Sequence, residues 1–239
     1  MALHTQLVTK QSSATVTNRT FLTRLPPESQ QRILSQSTRV TLEKEERLLE
    51  AGAALTWSYL PCTGLVSLQT MTEEGETVEV AMIGNEGVVG LPFGATSLAN
   101  PHTAIVILPG EALRVRADIL DKEFGRDPAL QRAFIQYWHE LTVLIAQGSV
   151  CHRFHTARQR LASWLLSASN RTQSSRIHMT QERLGEALGL QRTGVTAASI
   201  ALQDAGAIKA RHGRITIVDR RKVEAIACEC HRSAASLPR

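Results

Sequence analysis

The stretch TQERLGEALGLQRTGVTAAS, residues 180–199, decides how this chain folds and what it can touch. Thr180 suits a helix N-cap, because its hydroxyl can accept a hydrogen bond from an unpaired backbone N–H. Glu182 then lies in the first turn, where the helix dipole favours a carboxylate. Gly189 ends that helix, since glycine enters the left-handed conformation without strain. Counting Gln181 as position one, Leu184, Gly185, Leu188, Gly189, Leu190 and Val195 fall at positions four, five, eight, nine, ten and fifteen. These are the restrictive positions of a helix-turn-helix. Leu184, Leu188, Leu190 and Val195 fill the wedge between two helices, and the small Gly185 admits the second one closely.

The second helix, about Arg192–Gln203, is expected to bury only Val195, Ala198 and Leu202. Its outer side offers Gln191, Arg192, Thr193, Gly194, Thr196 and Ser199. So thin and polar a ridge can enter a DNA major groove with its N-terminal residues against base edges. Arg192 can pair bidentately with a guanine O6/N7 edge, and Gln191 with adenine or a phosphate. Thr180 is counted with them as a DNA-binding candidate. Downstream, in DAGAIKARHGRITIVD (204–219), Ala207–Ala210 and Ile215–Val218 read as two short strands. The tip between them, Arg211-His212-Gly213-Arg214, is basic and suited to phosphate.

Charge agrees with that partner. Residues 151–239 hold 15 Lys/Arg against 6 Asp/Glu, a net +9, whereas residues 1–150 hold 12 against 16, a net −4. A basic C-terminal third on an acidic body is the electrostatic footprint of a polyanion-binding module.

Upstream lies DPALQRAFIQYWHELTVLIAQGSV (127–150), with Asp127 as N-cap and Pro128 at the first helical position. Leu130, Phe134, Tyr137, Leu141, Leu144 and Gly148 recur at spacings of 4, 3, 4, 3 and 4. That is the seam of a two-stranded coiled coil, so these six are the expected dimer interface. Trp138, Val143 and Ile145 widen the stripe, so one edge is expected to touch the chain's own body. A further helix is expected over residues 154–168, with Phe154, Leu161, Leu165 and Ala168 on one side, followed by a loop at Asn170–Ser175.

From Val40 to Val115 the pattern changes to short β-like runs. LVSLQTM (65–71) and TVEVAMI (77–83) flank a hairpin loop at Thr72–Gly75. TAIVIL (103–108) and ALRVRA (112–117) flank Pro109-Gly110. Strands at this spacing predict a roll or barrel. A helix in PPESQQRILSQS (26–37) precedes them. The predicted class is therefore α+β, with an N-terminal antiparallel, jelly-roll-like β-roll. The divisions are a mobile tail at 1–20, the roll at 21–127, a dimerisation helix at 128–150, a winged helix-turn-helix at 151–230 and a tail at 231–239.

The hydrophobic fraction of 43% is that of a soluble globular protein. No apolar run reaches the ~18 residues that a membrane span needs, and the N-terminus lacks the apolar core of a secretory signal. Four cysteines in 239 residues make no disulfide scaffold, which points to the reducing cytoplasm and to no membrane partner.

A β-roll, a long helix and a C-terminal winged helix in this order resemble the Crp/Fnr family of transcription regulators, over about residues 22–227. The likeness is strongest from Thr180 to Asp219. The family's recognition segment, L-S-R-E-T-V-S-R, is here LQRTGVTA at 190–197, so Arg192 falls on its first arginine, implied to read DNA. Thr193 and Ala197 depart from its glutamate and second arginine, so an operator sequence does not carry over. The resemblance implies a homodimer on double-stranded DNA, with RNA polymerase as a further candidate partner.

It also implies an effector site in the roll, here GNEGVVGLPFGATSLANPHTA, residues 84–104. Gly90 fits the family's glycine, but Leu91 stands at its ribose-binding glutamate and His102 at its phosphate-binding arginine, followed by a fitting Thr103. Histidine is mostly neutral near pH 7, unlike arginine. Glu86 is shifted from the pattern and would repel phosphate. The candidate effector residues are Gly84, Glu86, Gly90, Leu91, His102 and Thr103, and their chemistry argues against cyclic AMP or GMP. No iron–sulfur cluster is expected, since no cysteine precedes Cys62. Cys228, Cys230 and His231 form C-x-C-H without an evident fourth ligand, and Cys151 stands beside His152 and His155, so no metal site is assigned and the cofactor is left unknown. No P-loop, G-x-S-x-G or H-E-x-x-H motif is present, and no catalytic residue is assigned. The competing reading is an effector-sensing module whose winged helix docks a protein.

Overall fold

The computed structural model describes residues 20–91 and 99–233. The expected N-terminal tail up to residue 19, the end of the C-terminal tail from 234, and residues 92–98 lie outside these. Residues 231–233, expected as tail, instead belong to a short helix, α8 (Cys230–Ser233).

The roll consists of two antiparallel sheets. One orders β1 (Thr38–Leu42), β7 (Gly110–Arg116) and β3 (Trp57–Pro61) as β1-β7-β3. The other orders β2 (Arg47–Leu49), β6 (Thr103–Leu108), β4 (Leu65–Met71) and β5 (Thr77–Ile83) as β2-β6-β4-β5. The runs at 65–71, 77–83 and 103–108 thus form strands with the expected bounds. Val66, Leu68, Ala81, Ile83, Ala104 and Val106 fill the space between the sheets. Leu65, Met82, Ile107 and Leu108 join a core shared with the C-terminal helices. Covered on both faces, β6 reads as a nearly unbroken apolar run instead of an alternating one.

Strict alternation from Ile83 and Ala81 would send Glu79 into the roll. A register shift, in which Leu68 pairs with Ala81 and Gln69 with Glu79, leaves Val80 as an extra residue. The bulge reverses the side-chain parity. Glu79 therefore turns outward, and its Oε1 accepts a hydrogen bond from Trp164 Nε1 at 2.9 Å.

Helices α1 (Pro27–Ser35) and α2 (Ala117–Arg126) flank the roll, and α3 (Pro128–Phe154) runs along it. Asp127 caps α3 as expected, accepting from the N–H groups of Ala129 and Leu130. Most of its apolar seam is buried by the chain itself. Leu130, Phe134 and Tyr137 are buried with Phe21, Leu22, Val88 and Leu120, and Leu141 closes the interior of the roll. Phe134 is 0% exposed, so no area is left for a partner. Leu144 and Gly148 continue this face, half-buried toward β5 and α4. The physical reason is that a 3-4 apolar spacing specifies one buried helix face and is silent on what buries it. The other edge is the exposed one, with Ile135 at 59%, Trp138 at 51% and Phe154 at 73%.

Phe154 ends α3 and does not begin the next helix. α4 (Ala157–Thr172) starts after Thr156, whose capping box with Gln159 fixes the boundary. It also continues to Thr172, into the expected loop at Asn170–Ser175. The remainder is β8 (Arg176–His178), α5 (Gln181–Leu188), α6 (Arg192–Asp204), β9 (Ile208–Arg211), β10 (Arg214–Ile217) and α7 (Arg220–Ile226), with a β8-β10-β9 sheet.

Candidate nucleic-acid interface

Thr180 caps α5, its hydroxyl oxygen accepting from Arg183 N at 3.2 Å. Gly189 terminates α5 in the left-handed region at φ +54°. A Cβ on Gly185 would lie 2.7 Å from the carbonyl oxygen of Leu190, so the turn closes only over glycine. Leu184, Leu188, Val195, Ala198 and Leu202 join one buried core with Leu161, Leu165 and Ile208.

Gln191, Arg192 and Thr193 are exposed at the start of α6, and Thr196 is half-buried. Gln191 stands at the N-cap and makes no side-chain capping bond, which leaves its amide for an outside partner. The Thr196 hydroxyl lies 2.9 Å from Arg192 O and 3.1 Å from Gln181 Oε1. Ser199, expected on this ridge, is only 5% exposed. It belongs to the stripe Val195, Ala198, Ser199, Leu202, whose i, i+3, i+4, i+7 spacing is one helix face, so its small hydroxyl went unrecognised as core. Ala197 and Ile200 are exposed instead.

The wing turns at His212 and Gly213, both with positive φ (48° and 71°). Positive values at both central residues are those of a tight two-residue hairpin turn. Arg211 pairs with Arg214 across it, and all four tip residues are exposed. The reading edge and the wing open on a cleft of about 1190 Å³, lined on one side by Gln191, Arg192, His212 and Gly213, and on the other by Thr72, Gly75 and Glu76 of the β4–β5 hairpin.

Among the described residues, three polar links hold this unit on the roll: Trp164 to Glu79, Arg171 Nε to Glu86 Oε1 at 2.7 Å, and Arg183 to Glu45. Glu79 is buried, and burial pushes its carboxyl up to about 7, against the opposing hydrogen bonds.

The residues expected to hold an effector do not converge. Ile83, next to Gly84, pairs with Val66, whereas Thr103 pairs with Gln69, three residues along β4 and so about 10 Å away. Glu86 is taken by Arg171. His102 Nδ1 bonds Thr70 Oγ1 at 2.9 Å, and burial lowers its pKa, which keeps the ring neutral near pH 7. Thr103 Oγ1 accepts from Ala51 N at 3.3 Å. Leu91 packs against the Phe134 cluster. Gly90 sits at φ +79°, and a Cβ there would approach Leu55 Cδ1 to 2.7 Å. Gly84 makes room for Glu86 and Arg171, since a Cβ on it would lie 2.8 Å from the Glu86 carboxylate.

Sequence reasoning missed one constellation. Cys151 and His155 at the end of α3 meet Cys228 and Cys230 after α7, and their ligand atoms all lie within 4.8 Å of one another. Spacing could not reveal this, because the pairs stand more than seventy residues apart. His231, the last residue of the C-x-C-H run, is not one of the four: its Nδ1 lies 2.6 Å from the backbone oxygen of Cys228.

The family model of the Crp-like helix-turn-helix domain matches residues 159–226. The C-terminal third of the chain carries that domain. Three solved structures share the fold over most of this chain's length. FixK2 from Bradyrhizobium japonicum superimposes with a TM-score of 0.69 at 19% identity, covering 80% of this chain and 98% of that one. The c-di-GMP-responsive global regulator CLP of Xanthomonas campestris gives 0.67 at 15% identity, with 81% and 100% covered. A Crp/Fnr-family transcriptional regulator from Thermus thermophilus gives 0.66 at 18% identity, with 84% and 100% covered. No curated protein matches the sequence. Among the described residues no helix is long and apolar enough to cross a membrane.

Proposed function

We propose that the protein is a homodimeric, sequence-specific DNA-binding transcription regulator that works in the cytoplasm and is not an enzyme. The observation that carries this reading is the exposed polar edge of α6, Gln191-Arg192-Thr193, beside a basic wing tip. Arg192 reads a base edge, with Thr196 beside it, while Arg211, His212, Arg214 and the Thr180 hydroxyl hold phosphates. Ser199 has no part in this. Two copies associate through the exposed edge of α3, where Ile135, Trp138, Thr142, Ala146 and Val150 follow one another at spacings of 3, 4, 4 and 4. Their helix-turn-helix units then enter successive major grooves about one turn apart, giving a roughly palindromic operator. RNA polymerase is the further partner such a regulator would meet. Cyclic AMP is not its effector through the usual route: His102, neutral and bonded to Thr70, supplies no charge for a phosphate.

Selection of bound duplexes from a random pool, followed by gel shifts at several salt concentrations, tests this. A two-fold symmetric site is expected. Arg192→Ala lowers the preference for that site over random DNA by ~1–3 kcal/mol. Sequence-blind binding alone, or equal losses on every DNA, refutes the role of Arg192.

A further inference from the structure

We propose that Cys151, His155, Cys228 and Cys230 form a closed Cys3His site for one zinc ion, which fastens the end of α3 to the helix-turn-helix unit. The four donors come from two segments that meet only in the folded chain. Cys151 in the last turn of α3 and His155 at its C-cap lie one helical turn apart, so both point to the same side. Cys228 and Cys230 flank Glu229 where α7 gives way to α8, so two thiols of one short segment face them.

Two of the separations match the edges of a zinc tetrahedron. Zinc–sulfur and zinc–nitrogen bonds of about 2.3 and 2.05 Å require edges of about 3.8 Å between sulfurs and about 3.6 Å between sulfur and nitrogen. Cys151 Sγ lies 3.6 Å from Cys228 Sγ, and Cys230 Sγ lies 3.4 Å from His155 Nδ1. No ligand atom is more than 4.8 Å from another, a margin that side-chain rotation closes.

The surroundings match a metal-binding histidine as well. His155 offers Nδ1 inward, while its Nε2 lies 3.4 Å from Glu229 Oε1. A carboxylate on the outer ring nitrogen orients the imidazole and raises its basicity, which is how zinc-bound histidines are supported. Ser163 Oγ is 3.0 Å from Cys228 Sγ, and Gln147 Nε2 donates to Cys230 Sγ at 3.1 Å. Three thiolates around Zn²⁺ carry a net charge of −1. Arg160, a buried cation whose Nε has no hydrogen-bond partner among the described residues, lines the same small cavity of about 140 Å³ as Cys151 and Cys230. Cys228 and Cys230 are buried and Cys151 and His155 half-buried, and four protein donors leave no open coordination position, which suits a structural ion rather than a catalytic one. Nitrogen and sulfur donors in tetrahedral array select zinc over the oxygen-seeking cations.

The experiment uses the full chain, purified without chelator from zinc-replete cells. Its metal content is measured, and the protein is then stripped and reloaded with Co²⁺. One zinc per chain is expected, and the Co²⁺ form should show thiolate charge-transfer absorption with the intense visible bands of a tetrahedral centre. Cys230→Ser should reduce the bound zinc to less than about a tenth of an equivalent, while Cys62→Ser, in the roll, retains one full equivalent. The Co²⁺ spectrum of the unaltered protein keeps the test decisive even if Cys230→Ser folds poorly. Absence of bound zinc, full zinc in Cys230→Ser, an octahedral Co²⁺ spectrum, a disulfide between Cys151 and Cys228 in fresh protein, or iron with inorganic sulfide would each overturn the proposal. None of these readouts depends on DNA binding.

Discussion

Glu79→Gln should raise stability at pH 8 while leaving it nearly unchanged at pH 4.5. Glu79 is buried where the roll meets α4, and its carboxyl is raised from 4.5 to about 7, chiefly by burial. In the unfolded chain it loses its proton near 4.5. Between these values the folded state holds a proton that the unfolded state does not, so stability falls as pH rises. At about 1.4 kcal/mol per pH unit, the interval amounts to ~3 kcal/mol, lost by pH 7 and not recovered above it. Glutamine is isosteric, stays neutral and can still accept from Trp164 Nε1 through its amide oxygen. Urea denaturation of both proteins at several pH values, followed by Trp fluorescence and far-UV dichroism, isolates the term. The difference in unfolding free energy should open from near zero at pH 4.5 to ~3 kcal/mol in favour of the variant at pH 8. Parallel pH profiles, or a variant less stable at pH 8, would refute the argument that a neutral carboxyl is sealed in this interface.

Trp138→Glu should weaken self-association at least ~30-fold in sedimentation equilibrium, the loss of about 2 kcal/mol typical of a central aromatic anchor. Phe134→Ala should instead cost ~3–5 kcal/mol of folding stability and leave the association of the folded molecules unchanged, and the reverse pattern would restore the original seam as the interface. Arg214→Ala should weaken binding to all duplexes alike and flatten the salt dependence by about one phosphate contact; a selective loss on one sequence contradicts that role. Ser199→Ala should leave operator affinity within about twofold in gel shifts, because its hydroxyl is inside the domain.

The helix-turn-helix was legible because its constraints are local. Gly189 has to be left-handed, Gly185 has to clear the Leu190 carbonyl, and both demands lie within ten residues of sequence. The strands at 65–71, 77–83 and 103–108 were equally plain, since turn residues bracket each. Ser199 was misplaced because one polar atom outweighed the position of the residue on its helix. The parity of Glu79 was hidden as well, because a bulge at Val80 is not written in any spacing.

The sequence by itself determined the strands of the roll at 65–71, 77–83 and 103–108, the long helix after Asp127, the helix-turn-helix with its wing and the polar edge of α6, all of which follow from backbone preferences and from the period of the apolar side chains. Only the tertiary structure decided which surface covers the apolar face of α3, where Glu86 and His102 find their partners, and that Cys151 and His155 meet the distant Cys228 and Cys230. Those outcomes depend on chain segments far apart in sequence coming to rest together, and a periodic pattern records that a face must be buried without recording what buries it.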